Sequence, residues 1–220
     1  YVPILNKLIN PKYTAINCAV GGEKSLTIAA RQGGIPMALG IDVQLSSFSN
    51  EESIIGNKSN SFYSTYDESI VTPLLQGGNS TINNCIINDI ECVIKWTGKS
   101  WNDPDGKYTI KRITEGNDII LKKGSIIYTS SMRNKRNKYA NIFYIGANGG
   151  FQSDGKILVE QYKKMIEFSG SNNYIVIGYH KSGTTPVSKL REYEKALLSE
   201  FGARFLNFRE YILSLIHISE

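Results

Sequence analysis

The chain has 220 residues, a net charge of +5 and a pI near 9.0, with 41% apolar and 20% charged residues. That balance describes an ordinary soluble globular protein with room for one large domain, or one domain carrying an insertion. It excludes a membrane-spanning helix, since no apolar run approaches about 18 residues. It also excludes a zinc site or a disulfide framework, because Cys18, Cys85 and Cys92 are odd in number and include no Cys-x-x-Cys. A single Cys85–Cys92 bridge stays open.

Val2, Ile4, Leu5, Leu8 and Ile9 have helical spacing, and Pro11 ends that helix. The chain begins with Tyr1 and not Met, so it reads as a piece whose start lies upstream. Residues 13–19 are apolar and β-prone, and they predict a buried strand. The stretch Asn17-Cys18-Ala19-Val20-Gly21-Gly22-Glu23-Lys24-Ser25 then turns into a helix over 23–32, which stops at Gly33-Gly34. The order of strand, glycine pair and helix start suits an anion. Glycine leaves the backbone N–H uncovered, and a helix start adds unpaired N–H groups and partial positive charge. The anion is either a bound phosphate or an oxyanion formed during acyl transfer. The same residues also suit a plain strand-to-helix turn.

From residue 35 to about 138 the texture changes to short strand-like runs. These are 38–45, 54–55, 70–75, 82–87, 91–96, 108–114, 118–121 and 125–130. Turn residues such as Gly77-Gly78-Asn79, Glu115-Gly116-Asn117 and Lys123-Gly124 separate them. The pattern predicts an inserted all-β domain, a small barrel or sandwich. Trp96 and Trp101 in it are either core or a sugar-binding platform. The basic stretch 133–138 reads as a solvated returning linker and not as a nucleic-acid site, because no stacking pattern or binding motif accompanies it.

After the insertion, strands at 141–145, 174–178 and 204–207 alternate with amphipathic helices. The second helix opens at Thr185-Pro186, an N-cap and first-turn pair, and Gly202 ends it. Alternation of this kind predicts a parallel sheet with helices on both faces. Ligands bind at the carboxyl ends of such strands. Gly21-Gly22-Glu23 and Gly146-Ala147-Asn148-Gly149 would then share one sheet edge. One offers a bare N–H and the other a side-chain amide, together a two-donor pocket for an oxyanion. Asn148 alternatively serves as a left-handed turn asparagine.

These residues resemble the SGNH hydrolases, the GDSL-type esterases and lipases, over about 1–34 and 139–214. The family has four blocks. Asn17 through Gly22 is similar to its Asn-x-x-x-x-Gly block. Gly146-Ala147-Asn148-Gly149 is similar to its Gly-x-Asn-Asp block, with Gly149 in place of the Asp. The resemblance implies a flavodoxin-like α/β core at 1–34 and 139–213, interrupted by the β domain at 35–138. It further implies serine ester hydrolysis without cofactor or metal, with Gly22 N–H and Asn148 as oxyanion donors. The ester would be carbohydrate-linked or small. Glu23, Arg31 and His180 are candidates to touch substrate, although Glu23 also suits a helix start and Arg31 and Gln32 a polar helix end.

The family's Gly-Asp-Ser and Asp-x-x-His blocks do not occur in the chain. Ser25 and Ser182 lack a nearby base and a nucleophile elbow. His217 has Ser214 where the Asp would stand, and residues 214–220 read as a non-native tail. The 220-residue chain alone is therefore expected to be inactive. The competing expectation is a non-catalytic ligand- or carbohydrate-binding protein on the same fold. A nucleotide-binding reading fails for want of Gly-x-Gly-x-x-Gly or Gly-Lys-Ser/Thr.

Overall fold

The structure, a computed structural model, describes residues 2–9, 11–74, 84–132, 139–178 and 185–217. The chain is mixed α/β, with several small sheets and two hydrophobic cores. Helix α1 spans Val2–Leu8 and α2 spans Ser25–Gln32. Helix α2 is the wall between the cores. Its neighbours Ala29 and Ala30 are both fully buried, the first in the α/β core and the second in the β-rich core. Successive residues on a helix point about 100° apart, so small alanines let one helix be packed from two sides. Gly33 ends α2 in a left-handed conformation at φ 102°, with its N–H on Ala29 O.

The β-rich part holds β1 (Met37–Leu39), β2 (Val43–Leu45), β3 (Ser53–Gly56), β4 (Phe62–Ser64), β5 (Asn84–Ile87), β6 (Ile90–Thr97), β7 (Lys107–Arg112), β8 (Ile119–Leu121) and β9 (Tyr128–Thr129). A five-stranded antiparallel sheet runs β3-β7-β6-β5-β9, and β1-β4 and β2-β8 form two separate two-stranded sheets. Its core is drawn from Ala30 to Ile127, with Phe62, Tyr108, Ile110 and Leu121 all but inaccessible. The predicted run 38–45 is two strands. A Cβ on Gly40 would sit 1.9 Å from Asn60 O, so the backbones meet there and the chain breaks step. Strand β4 lies outside the runs that the sequence predicts. Cys85 and Cys92 face each other across β5 and β6, both buried and both free thiols.

The remaining part holds β10 (Asn141–Phe143), α3 (Gly155–Ser169), β11 (Tyr174–Ile177), α4 (Val187–Phe201), β12 (Phe205–Leu206) and α5 (Phe208–His217). The strands form a parallel sheet in the order β10-β11-β12. Leu158, Tyr162 and Met165 of α3 and Leu190, Leu197 and Phe201 of α4 bury their apolar stripes in this core. The Tyr162 hydroxyl closes the strand ends. It accepts from Ile145 N–H at 3.1 Å and lies 3.2 and 3.1 Å from the carbonyls of Ile145 and Ile177. Helix α4 starts one residue later than expected, with Pro186 and not Thr185 at its N-cap. Arg209 of α5 grips Glu194 of α4 through two 2.5 Å contacts.

The strand predicted over residues 13–19 is not formed. Residues 13–19 are irregular, with Tyr13 and Ile16 exposed. A strand needs a partner edge for its N–H and C=O groups, and no described strand pairs with this segment. Among the described residues the parallel sheet therefore has three strands. Among the described residues no helix is long and apolar enough to cross a membrane.

Candidate functional site

The two glycine-rich corners do meet. Ser25 N–H, the first of α2, donates to Gly149 O at 2.9 Å, and Asn148 Nδ2 donates to Glu23 O at 3.2 Å. Gly150 makes this approach feasible, since a Cβ there would lie 2.8 Å from both Lys24 Cβ and Ser25 N. The Gly146–Gly149 corner is a tight turn closed by Gly149 N–H on Gly146 O at 3.0 Å. Its glycines at 146, 149 and 150 have φ of 98°, 73° and 95°, whereas Asn148 is not in the left-handed region. Asn148 is thus held by its side chain and not by a left-handed backbone.

Gly22 is exposed with φ 84°, and its N–H makes no hydrogen bond among the described residues. The Asn148 amide carries two N–H donors and spends one on Glu23 O. One main-chain donor and one side-chain donor are therefore left on loops that are bonded together. Such a pair can stabilise negative charge developing on an oxygen.

Glu23 and Arg31 take a different place. They are 2% and 5% exposed, and Arg31 Nε contacts Glu23 Oε1 at 2.6 Å. Leu74 N–H also donates to Glu23 Oε1, at 3.0 Å, and an Arg31 terminal nitrogen donates to Leu74 O at 2.5 Å. Thr129 Oγ1 donates to Arg31 O at 2.6 Å. The pair bolts the start of α2 to the β-rich part. Burial pushes the Glu23 carboxyl above the usual carboxylate range, opposed by the Arg31 charge and its hydrogen bonds. Glu23 Oε2 is buried with no partner among the described residues. The sequence carried little sign of this pair, because the residues are eight apart and not at the helical spacing of three or four.

Gln32 holds α3, with Nε2 donating to Met165 O at 2.9 Å. His180 and Ser182 lie outside the described residues, as does the basic stretch 133–138. Ser25 is fully buried and its Oγ has no hydrogen-bond partner among the described residues. Trp96 and Trp101 meet at a tilt of 53° with ring centroids 5.1 Å apart and pack edge-on against Tyr108. The Lys58 ammonium lies 3.9 Å from the Trp101 ring centroid and donates to Trp101 O. Their packing belongs to the β-rich core, with Lys58 over the remaining ring surface. Among the described residues no cluster of His, Cys, Asp and Glu could hold a metal ion.

Comparison with models of known families, with curated proteins and with solved structures finds no match.

Proposed function

We propose that the chain carries the oxyanion half of a serine ester hydrolase of the SGNH type. The observation that carries this reading is the Asn148–Glu23 hydrogen bond, which ties the loop bearing an amide donor to the residue that follows Gly22, whose N–H has no hydrogen-bond partner among the described residues. In this reading a serine outside residues 1–220 attacks an ester carbonyl while a histidine takes its proton. The carbonyl oxygen becomes an oxyanion, received by Gly22 N–H and the free Asn148 N–H. The alcohol leaves with that proton, and water then hydrolyses the acyl-enzyme. Glu23 and Arg31 act as positioning residues, since their buried contact fixes the carbonyl that orients Asn148. The core is flavodoxin-like in this proposal, built on the parallel strands β10, β11 and β12.

The test is to express the chain joined to the flanking sequence of its source gene and assay it on p-nitrophenyl acetate. Hydrolysis that needs an upstream Gly-Asp-Ser and a downstream Asp-x-x-His supports the reading. A gene lacking both blocks, with no hydrolysis, removes it and leaves a binding protein on this fold. Gly149, where the family has Asp, is the observation that favours that second reading.

A further inference from the structure

Cys85 of β5 and Cys92 of β6 stand directly opposite each other in an antiparallel pair. The register holds without a break from Asn84 opposite Val93 to Ile87 opposite Ile90. Both cysteines are buried in the β-rich core, so their side chains leave the same face of the hairpin. Directly opposed residues of an antiparallel pair have Cα atoms about 4.5–5.5 Å apart, and disulfides span about 4.4–6.8 Å. The backbone therefore already meets the geometric demand of a bridge, while the structure holds the pair as two thiols.

The neighbours in that row suit the same chemistry. Arg112 of β7 stands opposite Cys92 on its other side, and Thr129 of β9 stands opposite Cys85. The row contains no carboxylate. Arg112 is buried, its Nη2 donates to Asn117 O at 2.9 Å, and its Nε has no hydrogen-bond partner among the described residues. Burial pushes the Cys92 thiol up, and the Arg112 charge pulls it back towards the thiolate. The thiolate is the form that attacks a disulfide.

We propose that Cys85 and Cys92 close a cross-strand disulfide as the chain folds in an oxidising medium, and that the folded core then shields the bond from reduction. The oxidant is a small-molecule disulfide such as oxidised glutathione. The Cys92 thiolate attacks one glutathione sulfur and breaks that S–S bond. The departing glutathione takes up the proton that Cys92 released. The Cys85 thiolate then attacks the Cys92 sulfur of this mixed disulfide, and the second glutathione leaves with the Cys85 proton. Two electrons pass from the cysteines to the glutathione disulfide, which becomes two thiols. A protein kept under reducing agent retains both cysteine thiols, as in the structure. The proposal does not rest on the hydrolase reading.

The experiment uses the 220-residue protein carrying Cys18→Ser, because Cys18 is exposed and would exchange. The reduced chain is refolded from urea in a glutathione redox buffer, beside a sample kept unfolded in the same buffer. After acid quenching, alkylation in denaturant and intact mass count the thiols, and proteolysis locates the bridge. The ratio of bridged to dithiol chain should be at least about tenfold higher in the refolded sample than in the unfolded one. Circular dichroism should show the bridged protein folded like the reduced one. Dithiothreitol that reduces the bridge in urea should leave it intact in the folded protein. Two thiols after refolding, or glutathione adducts in place of the bridge, overturn the proposal. A ratio no higher than in urea overturns it too, since nearness in sequence and not the strand register would then make the bond. A bridged chain that has lost its β structure contradicts the pairing of β5 with β6, and equal reduction of folded and unfolded samples overturns the shielding.

Discussion

The side-chain amide of Asn148 donates to the main-chain carbonyl of Glu23 at 3.2 Å, across 125 positions of sequence. The carboxylate of the same Glu23 is gripped by Arg31. One residue thus joins the β10 loop through its backbone to the β-rich part through its side chain. The chemistry proposed for the corner depends on that double hold.

The closeness of the two loops is tested by a pair of glycines. Gly149→Ala meets no atom within 4 Å and suffers only its φ of 73°, worth about 1–2 kcal/mol. Gly150→Ala at φ 95° also drives a Cβ to 2.8 Å from Ser25 N, and such overpacking adds about 1–3 kcal/mol. Urea unfolding should rank Gly150→Ala clearly below Gly149→Ala. Equal midpoints would mean that the loops do not touch as described.

The buried pair predicts an asymmetry. Arg31→Ala strands a buried carboxylate and should destabilise by about 3–5 kcal/mol. The double variant Glu23→Gln with Arg31→Met should recover a large part of that loss. If Arg31→Ala shifts the urea midpoint no more than a surface substitution does, the pair is not holding α2.

Glu23 also gives a pH dependence with a definite sign. Its folded pKa is raised by burial, so the folded state binds a proton more tightly than the unfolded chain does. The resulting stability is complete below the unfolded value of about 4.3 and is lost as pH rises through the raised folded value. Glu23→Gln fixes the neutral form. Its stability should gain on the wild type as pH climbs through that window. A stability difference that stays flat with pH would rule out a shifted Glu23.

The thiols divide by burial. Cys18 is exposed while Cys85 and Cys92 are buried, and burial pushes the Cys92 thiol up to about 11. Ellman's reagent at neutral pH should find one reactive thiol in the native protein and three in denaturant. Two or three native thiols would place β5 and β6 wrongly.

Much of this architecture is legible from local chemistry. Helices α2, α3 and α4 follow from apolar periodicity, and Gly33 and Gly202 stop two of them. The runs 82–87 and 91–96 meet as the hairpin β5-β6, which the structure turns through Asn88-Asp89, both at positive φ. What stayed hidden depends on distant partners. Residues 13–19 have strand composition but pair with no described strand, and β4 exists because β1 lies beside it. Asp154 caps α3 through Lys156 N–H at 2.7 Å, so the helix begins at Gly155, before its first apolar residue. In the site, Gly22 and Asn148 stood out as donors at glycine turns. The Glu23–Arg31 bolt did not, because its meaning comes from burial and from Leu74, far away in sequence.

The central claim is that Asn148 and Gly22 receive an oxyanion. It is met most directly by steady-state kinetics of Asn148→Ala in the full-length protein on p-nitrophenyl acetate. Loss of one oxyanion donor should lower kcat by about 10²–10³, or about 2.7–4 kcal/mol, with KM little changed. An unchanged kcat with a raised KM would contradict the account and make Asn148 a binding residue only.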